Sequence, residues 1–210
     1  MSVAGTTIVA LGVGILRFAA WGVDPFTGLM TGLDKLVPLS YGALYAAANG
    51  VLLAFALVTE RRYIGLGTLM NLFFTGYLAE LTRSLLLRLL PEAAPWLRFA
   101  ILLAGILVQC FGSALYMSAD LGVSAYDAVA LVLANKRRIW KFRYLRVCTD
   151  FVCVAVGAGL FLLGGGTVAG IPAFIGPGTI ITAFFMGPAI DFFNRTVAEP
   201  LISKSERSKL

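Results

Sequence analysis

The chain has no histidine among its 210 residues, and only 13% of those residues are charged. Without imidazole it lacks the usual general base near neutral pH and the commonest metal ligand. Ser-His-Asp and Cys-His catalysis are thereby excluded, and zinc and haem sites are disfavoured. Cysteine is scarce as well: Cys110, Cys148 and Cys153 sit in apolar stretches, and none belongs to a CxxC. Such spacing suits neither a metal site nor a disulfide framework, so the three read as small hydrophobes. There is no paired acidic motif of the kind a metal-dependent lipid enzyme needs. The expectation is a non-enzyme with no cofactor and no metal.

What the chain has in quantity is apolar surface. Hydrophobic residues make up 59% of it and mean hydropathy is +0.88, outside the range of soluble domains. Charge-poor segments lie at 3–23, 40–59, 65–88, 97–119, 144–164 and 173–194, each near the roughly 20 residues that cross hydrocarbon as a helix. They predict six spanning helices. The first twenty residues lack the basic start of a cleavable signal peptide and are read as the first span.

Between spans one and two, and between spans four and five, lie Asp24–Val37 and Ser124–Asn135. In the first, Phe26, Leu29, Met30, Leu33 and Val37 recur at helical spacing. These two helices are too short to cross a bilayer, and can lie in the interface or enter the protein as half-helices. Asp24 can accept hydrogen bonds from the first turn, and Pro25 lacks the N–H that would be orphaned there.

The chain says much of this twice. Gly22-Val23-Asp24-Pro25-Phe26 returns as Gly122-Val123-Ser124-Ala125-Tyr126, with Ser124 as the capping residue. Ile64-Gly65-Leu66-Gly67-Thr68, leading to Phe73-Phe74, Gly76 and Glu80, aligns with Ile175-Gly176-Pro177-Gly178-Thr179, leading to Phe184-Phe185, Gly187 and Asp191. Seven of the first thirteen aligned positions are identical, more than shared apolar composition explains. Residues 1–92 and 93–197 are therefore expected to be duplicated units, with a cytoplasmic tail over 198–210. Each unit has an odd number of spans, so the second must sit upside down relative to the first, a plan common to secondary transporters.

Basic residues set the orientation. Arg61, Arg62, the cluster from Lys136 to Arg146, and Arg195 to Lys209 share one side; Lys35, Arg88 and Arg98 lie on the other. A multi-pass protein of a bacterial-type plasma membrane is expected, with both termini cytoplasmic. The net charge of +6 then reflects topology, so nucleic acid is not an expected partner. The bilayer and a small polar solute are, and a homodimer would thicken the walls around a central site.

Ionisable groups inside a membrane are costly and mark candidate sites. Arg17, Asp24, Glu80 and Arg83 fall near the outer boundary and can pair; Asp127, Asp150 and Asp191 fall nearer the inner one. Asn49 and Asp150 hold related places in the second span of each half, and Ser124 starts the second half-helix. Gly65, Gly67 and Thr68, with Gly176, Gly178 and Thr179, are candidates for a hinge or a helix start, since glycine permits close approach or local unwinding. They do not form a phosphate loop, lacking the terminal Lys-Ser/Thr.

The two half-helix motifs and the two Gly-x-Gly-Thr segments resemble the YczE/YyaS/YitT family of bacterial integral membrane proteins over residues 5–195. The second copy departs from the family pattern with Ala125 where proline is common. The tail after Arg195 makes the shorter YczE-type branch the nearer match. The resemblance implies a multispan membrane protein and assigns no substrate, cofactor or catalytic residue. The leading expectation is a small secondary transporter or exporter working by alternating access. A channel, or an accessory protein binding a partner through its basic inner face, is the alternative.

Overall fold

The computed structural model describes residues 2–59, 65–118, 124–135 and 142–201, and among these it is all helical. The six long helices fall where the apolar segments placed them: α1 (Ser2–Ala19), α3 (Tyr41–Thr59), α4 (Leu66–Leu89), α5 (Pro95–Met117), α7 (Phe142–Leu163) and α8 (Pro177–Phe193). Two short ones, α2 (Pro25–Leu36) and α6 (Ala125–Asn135), occupy the predicted half-helix positions. A 3-10 turn over Val168–Ala173 leads into α8, and a π-helical turn over Asn194–Ala198 prolongs it.

Four helical stretches among the described residues are long and apolar enough to cross a membrane: α1, α3, α5 and the run Val168–Leu201. Of the two further spans expected, α4 is interrupted by Asn71, Glu80, Arg83 and Arg88, and α7 is apolar only over Val147–Leu163. The polar cargo of α4 turns out to be the material of the site below.

The centre of the bundle is the antiparallel pair α1 and α5. Gly5 faces Gly112 and Tyr116, Gly12 faces Gln109, and Leu16 faces Gly105, so glycine on alternate helices lets the backbones close, as in other membrane bundles. α4 packs on α1 as α8 packs on α5; α7 lies along α2 as α3 lies along α6; and each half-helix touches the following long helix of its own half. α2 and α7 run parallel, with Gly28 and Gly32 against Gly157 and with Lys35 and Leu36 against Gly164.

Both Gly-x-Gly-Thr segments start a helix in the same way. Thr68 Oγ1 accepts from the Gly65 N–H at 3.3 Å, and Thr179 Oγ1 accepts from the Gly176 N–H at 3.2 Å. In return the Thr68 and Thr179 amides donate to the Gly65 and Gly176 carbonyls, each at 3.0 Å. Each threonine thus caps the start of its own helix. In the second half the glycines also admit a neighbouring strap, the non-helical Trp21–Val23. Gly22 and Val23 donate to the Ala173 and Phe174 carbonyls at 3.2 and 3.1 Å, and Gly178 donates to Trp21 at 2.8 Å. Gly22 has φ +105°, and a side chain there would press on the Thr179 amide, so only glycine serves.

Candidate functional site

The strap fixes where α2 begins. Asp24 caps it, accepting from the Thr27 N–H at 3.1 Å through Oδ1, while Oδ2 accepts from Gln109 Nε2 at 3.3 Å. Because Gln109 faces Gly12 in the middle of α1, the start of α2 is level with the middle of that helix. The other end of α2 returns to the level of Arg17, near the end of α1. Pro25, Phe26, Thr27, Gly28, Met30 and Gly32 are all buried. α2 is thus packed within the bundle and does not lie along its outside.

The second half-helix starts at the same place. The Phe26 and Tyr126 rings stack with centroids 5.0 Å apart, and Tyr45 meets Phe26 edge-on at 5.6 Å. Tyr126 donates its hydroxyl to Asp150 at 2.7 Å and accepts a longer contact from Cys153 at 3.6 Å. The repeated motifs Asp24-Pro25-Phe26 and Ser124-Ala125-Tyr126, about a hundred residues apart in the chain, therefore bring their third residues into contact at the core. Around them Val13, Met30, Tyr41 and Ala79 complete a buried cluster drawn from both halves.

Toward the far end of α2, charges gather. Arg17 Nη2 lies 3.4 Å from Asp34 Oδ2, and the Arg17 guanidinium is 3.4 Å from the centroid of the Tyr41 ring, a cation–π stack. The Arg17 side chain is only 7% exposed and its Nη1 has no partner among the described residues. Glu80 Oε2 accepts from the Gly42 N–H at 3.3 Å at the start of α3, where a carboxylate complements the helix dipole. Arg83 feels Arg17, Asp34 and Glu80 together, so two acids and two bases share this end of the bundle.

Of the residues singled out from sequence, Arg17, Glu80 and Arg83 come together here, and Asp24 lies deeper. Arg17 takes Asp34, not Asp24 or Glu80, as its ion-pair partner. Asn49 is buried and donates to the Tyr45 carbonyl of its own helix at 2.9 Å, while Asp150 reaches across to Tyr126. Ser124 stands half-buried at the start of α6 and accepts from the Ala128 N–H at 2.9 Å. Asp191 is exposed on α8 and joins neither group. The Asp127 side chain, the 136–141 part of the basic loop and the tail from 202 onward lie outside the described residues. Sequence reasoning missed Gln109 and Asp34 as partners, and Tyr41 and Tyr45 as walls. A polar residue in the most apolar stretch of α5 was the one available signal for Gln109.

A bundle that buries these polar groups and turns Phe73, Phe74, Phe184 and Phe185 outward is a helical membrane protein. The chain belongs to DUF6198, a family of unknown function whose profile matches residues 1–195. It is similar to the uncharacterized membrane protein YczE of Bacillus subtilis, 23% identical over 190 residues, 90% of this chain and 81% of that one. It is 25% identical over 211 residues to the uncharacterized protein YyaS of the same organism, covering 97% and 95% of the two chains. An uncharacterized protein of Haemophilus influenzae matches at 26% identity over 193 residues, 91% and 81% of the respective lengths. The likeness to YczE and YyaS read from the half-helix and Gly-x-Gly-Thr motifs is borne out. No solved structure matches the chain at a significant level.

Proposed function

We propose that the chain is a small secondary carrier of a polar solute, built as two inverted three-helix repeats, residues 1–92 and 93–197, that rock against each other. α2 and α6 are its re-entrant half-helices, and the solute passes where they meet. The observation that carries this reading is the Phe26–Tyr126 contact: two half-helices from opposite halves start head to head in the core, beside Asp24 and Asp150. Discontinuous helices meeting at midplane are where such carriers hold their solutes. The pairwise packing supports the same plan, since exchanging the halves turns each contact of α1 with α4, α3 with α6 and α2 with α3 into another that is present. The matching caps at Thr68 and Thr179 add to it. In this reading the protein is not an enzyme, crosses the plasma membrane six times with both termini cytoplasmic, and works as a homodimer.

Reconstituted into proteoliposomes, the protein is expected to give saturable, competitor-sensitive counterflow of one member of a panel of small charged and zwitterionic solutes. Flux that rises linearly with the gradient would identify a channel. No flux of any panel member, with pull-down of a partner lost on neutralising Lys136 to Arg146, would replace transport by the accessory role.

A further inference from the structure

We propose that Arg17 and Tyr41 form the binding site for the carboxylate of a small monoanionic solute; this names the substrate class of the carrier proposed above and rests on that reading. Arg17 uses Nη2 on Asp34 and its flat face on Tyr41, and keeps Nη1 buried without a partner. The Tyr41 hydroxyl, on a side chain that is 2% exposed, makes no well-formed hydrogen bond among the described residues and has only a weak contact with the Thr27 side chain. A buried donor left unpaired costs free energy comparable to a lost hydrogen bond, more when it is charged. The hydroxyl is a single bond beyond the ring that the guanidinium covers, so both groups border one place, where an acceptor with two oxygens would take Nη1 through one and the hydroxyl through the other. A guanidinium edge and a phenol suit a carboxylate, whose two oxygens accept in one plane.

The local charge sets the valence. Arg17 and Arg83 are balanced by Asp34 and Glu80, so a bound monocarboxylate leaves the group with one net negative charge, whereas a dianion such as phosphate would leave it with two in a poorly solvated place. Asp34, whose side chain is 34% exposed against 7% for Arg17, is the member of the ion pair nearer the surface.

The test is titration calorimetry of the purified protein in nanodiscs with sodium lactate, sodium acetate and inorganic phosphate, against sodium chloride at equal ionic strength. Saturable binding of a monocarboxylate is expected, at least tenfold weaker in Arg17→Lys and several-fold weaker in Tyr41→Phe, which keeps the ring and its stack. Should Arg17→Lys fail to fold, protection of Arg17 in the unaltered protein against phenylglyoxal, read by mass spectrometry, replaces it; lactate or acetate should slow modification there by threefold or more. No saturable carboxylate binding, binding unchanged in both variants, or binding of phosphate alone overturns the proposal. Binding that persists without flux in proteoliposomes would instead overturn the carrier reading and leave the carboxylate site standing.

Discussion

Gly157→Ala is expected to destabilise the protein severely, while Gly159→Ala, two residues along the same helix, should leave it unchanged or slightly more stable. A methyl on Gly157 would lie 2.9 Å from the Gly28 carbonyl oxygen and 2.9 Å from Leu29 Cα, all backbone, whereas one on Gly159 meets nothing within 4 Å. Backbone cannot rotate aside as a side chain can, so α2 and α7 must part; overpacking of this kind costs about 1–3 kcal/mol or more. Alanine at the open site gains the roughly 1 kcal/mol by which it exceeds glycine in a helix. Gly32→Ala, aimed at the Gly157 carbonyl from the opposite side, should reproduce the Gly157 effect. Thermal unfolding in one detergent measures all three, and equal loss at 157 and 159 would mean that the α2–α7 crossing is not close-packed.

The second large effect separates two roles of Asp24. Asp24→Ala removes the N-cap of α2, worth about 1 kcal/mol, and leaves Gln109 Nε2 without its acceptor inside the bundle, worth about 1–3 kcal/mol more. Asp24→Asn keeps an acceptor oxygen for the Thr27 amide and removes the charge, and the Gln109 amide can turn over so that its otherwise unpartnered Oε1 accepts from the new NH2. The alanine variant is therefore expected to lose some 2–4 kcal/mol of stability by these two losses, with melting well below the parent. The asparagine variant should melt within a few degrees of the parent. If the carboxylate belongs to the transport cycle, Asp24→Asn loses counterflow while staying folded. Full flux with asparagine would make Asp24 a cap and nothing more.

Why Asp24 could be read from sequence and its partner could not is a matter of range. An acid before a proline at the edge of an apolar run announces a helix start through local chemistry, and the structure places Asp24 at that start. Gln109 lies on a helix apolar on every side, and its importance depends on the strap Trp21–Val23 carrying Asp24 back to the middle of α1. No pattern within α5 encodes that. The same folding-back decides the ion pair. Depth along the chain brought Arg17 near Asp24 and Glu80, but α2 turns toward the end of α1 and delivers Asp34 instead.

The repeat was legible for a different reason, since duplication leaves identities that composition does not. It located α2 and α6, and both Gly-x-Gly-Thr starts, to within a residue or two. What it could not convey is that Phe26 and Tyr126, equivalent in the two copies, touch each other. That contact is a property of packing, which no pattern within either segment encodes. It also misled at Asp191: the alignment pairs it with Glu80, yet Glu80 binds the start of α3 and Asp191 faces outward. α3 brings its first turn against α4, while the contacts of α7 lie chiefly with α2 and α6.

The claim on which the rest depends is that the two half-helices start beside each other inside the membrane. Its most direct test is a Phe26→Cys, Tyr126→Cys pair in a background freed of Cys110, Cys148 and Cys153, treated in membranes with a short bis-thiol reagent. Efficient cross-linking within one chain is the predicted result, with each single cysteine inaccessible to a membrane-impermeant maleimide until the protein is denatured. No cross-link, together with ready labelling of either cysteine from the bilayer surface, would place the short helices in the interface and contradict the account.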